Sequence, residues 1–202
     1  DTDTITGENI NYIIQPQVSF VLMDQHNGHV LALVGGRGKK TGARTLNRAS
    51  GSLRQPGSTF KILSTYLPAF DTAGMTLAST EVDEKYYYPG TKVQVHNWTG
   101  SAYKGTTTLR EGIYNSMNVV TVKTLAKVTP KVAYDYLVNL GITTLVDSRI
   151  DKSGKVFSDI QLPMALGGLT DGVTNLELTA AYASIANGGV YTEPVLYTRI
   201  LD

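Results

Sequence analysis

The chain has 202 residues, 42% of them hydrophobic, with 18 basic and 17 acidic side chains for a net charge of +1. That length suits one domain with a sizeable core, and a balanced charge without a basic stripe argues against nucleic acid or anionic lipid as the main partner. Zero cysteines exclude disulfides and thiolate metal sites, and His26, His29 and His96 have no recognised metal-ligand spacing, so neither metal nor cofactor is expected.

In chain order, Asp1-Thr2-Asp3-Thr4 has no initiator methionine and reads like an excised piece. No apolar run is long enough to span a membrane, and no signal peptide opens the chain. Val18 to Asp24 and Val30 to Val34 are apolar, β-forming runs joined by Asn27-Gly28, which predicts an antiparallel hairpin with a type I′ turn. Gly35-Gly36-Arg37-Gly38 ends the second strand, and the Gly- and Lys-dense stretch to Arg44 reads as a surface connection.

Pro56-Gly57 then precedes a helix from Ser58 to about Leu67, with Phe60, Leu63, Tyr66 and Leu67 at helical spacing. Asp71 to Gly105 reads as long loops and short strands, and Asn97-Trp98-Thr99 within it is a chance match to a glycosylation sequon. Thr108 and Glu111 form a capping box that starts a helix ending before Ser116. A second helix covers Val119 to Lys127. A third starts with Thr129 as N-cap and Pro130 at N1, and runs to Leu140 with Gly141 as its stop. Thr174 and Glu177 form another capping box, for a helix ending at Asn187-Gly188-Gly189, and Val190 to Leu201 reads as a strand. Strands at both ends of a helical middle predict an α+β fold. It is an antiparallel sheet packed against helices with an all-helical lobe, the cleft lying where lobe and sheet meet.

The chemistry concentrates at Ser58-Thr59-Phe60-Lys61. A serine three residues before a lysine on a helix shares its face, about 4.5 Å away along the axis. A serine hydroxyl needs a base to become a nucleophile, and a lysine kept partly neutral by burial can serve. The same letters also fit an exposed helix start with a solvated lysine. Ser116-Met117-Asn118 is the second element, although Ser116 and Asn118 also suit capping of the next helix.

These motifs, with Asn47-Arg48-Ala49, Arg54-Gln55-Pro56-Gly57, Thr108-Leu109-Arg110-Glu111, Leu166 to Val173 and Ala186-Asn187-Gly188-Gly189-Val190, resemble the transpeptidase domain of class A (bifunctional) penicillin-binding proteins. The resemblance runs from about Val18 to Val195 and implies one transpeptidase domain over residues 1–202, without its C-terminal strands. It implies Ser58 as nucleophile, Lys61 as its base, Ser116 as proton relay and Asn118 as a substrate-binding amide. Trp98 is a candidate for the rim of the donor groove. The turn from Leu166 to Val173 is expected close behind the cleft, its glycines serving tight backbone geometry.

The implied activity is D-Ala-D-Ala transpeptidation of peptidoglycan stem peptides through a serine acyl-enzyme, with β-lactams acylating Ser58. The implied location is the extracytoplasmic face of the bacterial membrane, with an anchor and a glycosyltransferase domain upstream. The third motif of the family, Lys-Thr/Ser-Gly, is not found after Asn118. Lys40-Thr41-Gly42 has the letters but precedes Ser58 in a loop-like stretch, and reads as coincidence. A C-terminal segment of the same parent, in the same or a separate chain, is therefore the expected partner. A non-catalytic penicillin-sensing or scaffold domain is the alternative. A class A β-lactamase fits less well, since position 117 is Met and no Glu-x-x-Leu-Asn occurs.

Overall fold

The computed structural model describes residues 16–40 and 42–200. β1 (Phe20–Met23) and β2 (Val30–Val34) pair antiparallel with Phe20 opposite Val34 and Leu22 opposite Ala32. The hairpin is as expected but its turn is not type I′. Gly28 alone has a positive φ there, 78°, and its N–H donates to the Asp24 carbonyl. Asp24 draws the turn wider, because its carboxylate accepts from the His26 N–H and the Asn27 side-chain amide.

A short helix, α1 (Arg48–Gly51), follows, capped by Asn47. The helix that begins at Ser58 is longer than its apolar spacing suggests. A 3-10 turn (Gly57–Thr59), a π segment (Ile62–Tyr66) and α2 (Leu67–Thr72) run on continuously. The helix therefore passes through Pro68 and Asp71, the latter expected in a loop. Pro68 has no N–H and its ring would collide with the carbonyl four residues back in an α-helix. The wider π turn just before it, closed by the Leu67 N–H on the Ile62 carbonyl, relieves that conflict.

The next stretch has short strands, as expected: β3 (Thr80–Asp83), β4 (Tyr86–Tyr87) and β5 (Gln94–Val95). β6 (Gly105–Thr108) pairs with β3, and β4 with β5, both antiparallel. α3 (Leu109–Tyr114) and α6 (Asn175–Ala186) each start on a complete capping box, from Thr108–Glu111 and Thr174–Glu177. α4 (Asn118–Val128) and α5 (Pro130–Asn139) lie within a residue of their expected bounds. Thr129 does not cap α5 with its hydroxyl. It is the hinge between the helices, at φ 81°, and its N–H closes α4 on the Leu125 carbonyl. β7 (Arg149–Ile150), β8 (Val156–Phe157) and a 3-10 turn (Leu162–Leu166) lead to α6.

The expected strand from Val190 to Leu201 does not form within the described residues. Its one ladder contact is a parallel bridge between Val195 and His29. Pro194 has no N–H to donate, and the segment touches β2 only at its beginning, through Gly28 and Val30. Residues 201 and 202 lie outside the described residues.

The architecture is α+β. The core lies in the helical lobe, where Phe60, Leu63, Val119, Val122, Leu125, Leu137, Ile142 and Met164 are fully buried. Truncating such side chains to alanine typically costs about 2–5 kcal/mol. The β1–β2 ribbon packs on α6 and α1 with one face. Its other face leaves Phe20, Leu22 and Val34 exposed, which soluble proteins usually cover.

Candidate active site

The start of the Ser58 helix is held from behind. Arg54 exchanges two backbone hydrogen bonds with Val173, at 3.0 and 2.9 Å. The Gln55 side chain does the same with the backbone of Leu169, both at 2.7 Å. Tyr182 donates its hydroxyl to the Thr59 carbonyl at 2.5 Å. The approach is close enough to require glycine. A Cβ on Gly167 would lie 2.4 Å from the Gly57 carbonyl oxygen, and one on Gly172 2.4 Å from that of Arg54. The turn from Leu166 to Val173 is thus the backbone clamp expected of it.

Ser58 itself is exposed, while Lys61, one turn on, is buried at 3% exposure. Burial disfavours the ammonium form and pulls the Lys61 amine from 10.5 down to about 8. Lys61 Nζ donates to the Ser116 carbonyl at 2.7 Å, to Ser116 Oγ at 3.0 Å and to Asn118 Oδ1 at 2.5 Å. So Lys61, Ser116 and Asn118 meet, 55 and 57 residues apart in sequence. Among the described residues Ser58 Oγ makes no hydrogen bond to Lys61. The two share the helix start, and the serine faces solvent.

Ser116 stands in an unusual backbone state. α3 ends in a Schellman motif, with the Met117 N–H on the Gly112 carbonyl and the Ser116 N–H on that of Ile113. The left-handed position of that motif normally holds glycine, and Ser116 occupies it at φ 50°. Such a residue costs about 1–3 kcal/mol. The strain aims both the Ser116 carbonyl and its hydroxyl at Lys61. Neither Ser116 nor Asn118 caps α4 with its side chain, because Asn118 Oδ1 goes to Lys61 and its Nδ2 to the His96 carbonyl at 2.6 Å.

The cap of α4 comes from Asn97, which sequence reading left as a chance sequon. Asn97 Oδ1 accepts from the backbone N–H of Asn118 and Val119 at 2.9 and 3.1 Å, and Asn97 Nδ2 donates to Asp83 Oδ1 at 2.7 Å. No local pattern announces a cap supplied from 21 residues upstream.

Trp98 is 75% exposed and donates Nε1 to the Asn115 carbonyl at 2.9 Å. With Tyr103 and Met117 it lines a pocket of about 260 Å³ that does not include Ser58 or Lys61. A larger cleft of about 630 Å³ lies between the segment before β1 (Gln17, Ser19), the stretch from Arg54 to Thr59 and the start of α6 (Asn175, Leu178), and its lining does not include Ser58 or Lys61. Lys40 and Gly42 sit in an irregular exposed stretch after β2, and Thr41 between them lies outside the described residues.

Among the described residues no helix is long and apolar enough to cross a membrane, and no group of three or more His, Asp or Glu side chains is placed to hold a metal ion.

Comparison with known proteins gives one family. Residues 18–202 match the penicillin binding protein transpeptidase domain. Penicillin-binding protein 1A of Clostridium botulinum (strain Langeland) is 36% identical over 201 residues, which are 95% of this chain and 23% of that relative. The crystal structure of penicillin-binding protein 1A from Haemophilus influenzae superposes with a TM-score of 0.70 at 27% identity, over 89% of this chain and 25% of that one. Penicillin-binding protein A from M. tuberculosis, as an imipenem acyl-enzyme complex, gives 0.61 at 25% identity, over 74% and 36%. The chain spans about a quarter of the length of the curated relatives it matches.

Proposed function

This chain belongs to the penicillin-binding protein transpeptidase family, and from that we propose that it carries the serine centre of a peptidoglycan D,D-transpeptidase. The observation that carries the reading is the buried Lys61 amine, one helical turn from Ser58, tied to Ser116 and Asn118.

Ser58 Oγ attacks the carbonyl carbon of the D-Ala-D-Ala bond while its proton passes to neutral Lys61 Nζ. The tetrahedral oxyanion is met by the Ser58 N–H at the helix start, where the dipole favours negative charge. The C–N bond then breaks, and the proton goes from Lys61 through the Ser116 hydroxyl to the leaving D-alanine nitrogen. An amine from a neighbouring stem peptide attacks the acyl-enzyme, loses its proton by the reverse relay and frees Ser58. Asn118 offers its amide to the donor's acyl side and steadies Lys61, and Trp98 stands at the rim. β-Lactams enter the first half of this sequence and stop there.

A second oxyanion donor comes from a segment of the same parent carrying Lys-Thr/Ser-Gly, within the same or a separate chain. Together they make one transpeptidase domain, on the extracytoplasmic face of the bacterial membrane in a membrane-anchored parent. The matched family and the relatives support this placement.

The test is turnover by the completed domain, residues 1–202 with that segment, on a donor peptide ending in D-Ala-D-Ala. Released D-alanine and an amine-dependent cross-linked product are expected. Acylation without either product would replace the transpeptidase by a penicillin-sensing domain.

A further inference from the structure

A helix start leaves N–H groups without partners, and a Ser, Thr, Asp or Asn at the N-cap usually serves them. The N-cap of α4 is Met117, which has nothing to offer. Asn97 stands in from another segment, at 6% exposure, and beneath it Asp83 is 1% exposed. Asp83 Oδ2 also accepts the Lys104 N–H at 2.9 Å.

The chemistry fixes which way Asn97 points. A carboxylate only accepts, so it holds the Asn97 NH2 toward itself and turns the Asn97 oxygen to the helix. A reversed amide would set donors against the donors of α4. Just before it, the His96 carbonyl takes the Asn118 side-chain amide. Residues 96 and 97 thus grip Asn118 by side chain and backbone, and Asn118 grips Lys61.

We infer that Asp83 and Asn97 are a buried positioning pair that sets the Lys61 amine through Asn118 and the first turn of α4. This rests on the reading of Lys61 as the base of Ser58. The pair touches no substrate. It converts a junction of three segments, β3, the end of the β4–β5 hairpin and α4, into the placement of one amine.

The reciprocal exchange Asp83→Asn with Asn97→Asp gives a sharp test, because it preserves every hydrogen bond. Asp at 97 accepts from both helix N–H groups and from the new amide at 83, whose oxygen still accepts from Lys104. Acylation of the completed domain by a labelled penicillin is measured where melting curves show each variant folded. Asn97→Ala and Asn97→Asp alone are each expected to lower the acylation rate constant about thirtyfold or more, and the exchange to return it to within about threefold. Folded Asn97→Ala acylating within threefold of the parent overturns the inference. So does an exchange variant that fails to fold or to recover.

A second readout does not depend on activity. Lys61 labelling by an amine-reactive reagent is expected to rise about tenfold in Asn97→Ala and to fall back in the exchange variant. A parent that does not acylate at Ser58 would sink the functional reading, and this labelling alone would then decide the positioning pair. Unchanged labelling would refute it.

Discussion

Replacing Lys61 with arginine is expected to slow acylation of Ser58 by about 10²- to 10⁴-fold, nearly as much as Lys61→Ala. Arginine keeps charge and length but does not give up its proton in a protein. Lys61 does, because burial brings it down to about 8. In the ammonium form its three protons have three acceptors, the Ser116 carbonyl, Ser116 Oγ and Asn118 Oδ1. Once neutral, Nζ has a lone pair free to take the Ser58 proton, and the ammonium so formed donates to Ser116 Oγ, which is the first link of the relay.

The pH dependence has a definite sign. The folded value lies below the ordinary 10.5, so the neutral amine gains from pH 6 upward and acylation rises, levelling above about 8. Between about 8 and 10.5 the unfolded chain binds a proton that folded Lys61 has lost, so this group's contribution to stability rises with pH there. Stopped-flow acylation across pH 6 to 9 checks the first point. An arginine variant at the parental rate would make Lys61 an electrostatic aid and place the base elsewhere.

The second large effect concerns the second oxyanion donor, proposed to come from a segment carrying Lys-Thr/Ser-Gly. On that proposal, residues 1–202 alone are expected to acylate about a hundredfold or more below the completed domain, since loss of one oxyanion donor costs about 2.7–4 kcal/mol in barrier. Phe20 and Leu22, 51% and 48% exposed on β1, are expected to make the lone chain poorly soluble as well. Native purification, an intact mass showing no second polypeptide and labelled penicillin make the comparison. A folded monomer acylating at the full rate would show that the third motif lies within these residues.

The elements that carry the candidate site were legible in the sequence because their signals are local. Ser58 and Lys61 share a helix turn, and Thr108–Glu111 and Thr174–Glu177 announced their helix starts within four letters. What escaped depends on long-range partners. Asn97 caps a helix 21 residues away, and Asp83 is defined only by Asn97 and Lys104. The apolar spacing from Ser58 ran out at about Leu67, and the π turn before Pro68 lets the helix continue through it to Thr72. The run from Val190 onward has strand-like letters, but a strand also needs a neighbour, and here the contact is one bridge at His29.

The central claim is that Ser58 is the acylated residue, activated by Lys61. Its most direct test incubates the completed domain with a labelled penicillin and maps the adduct by peptide mass. One adduct is expected, on Ser58, and none in Ser58→Ala. An adduct on Ser52, Ser64 or Ser116, or full labelling of Ser58→Ala, would contradict it.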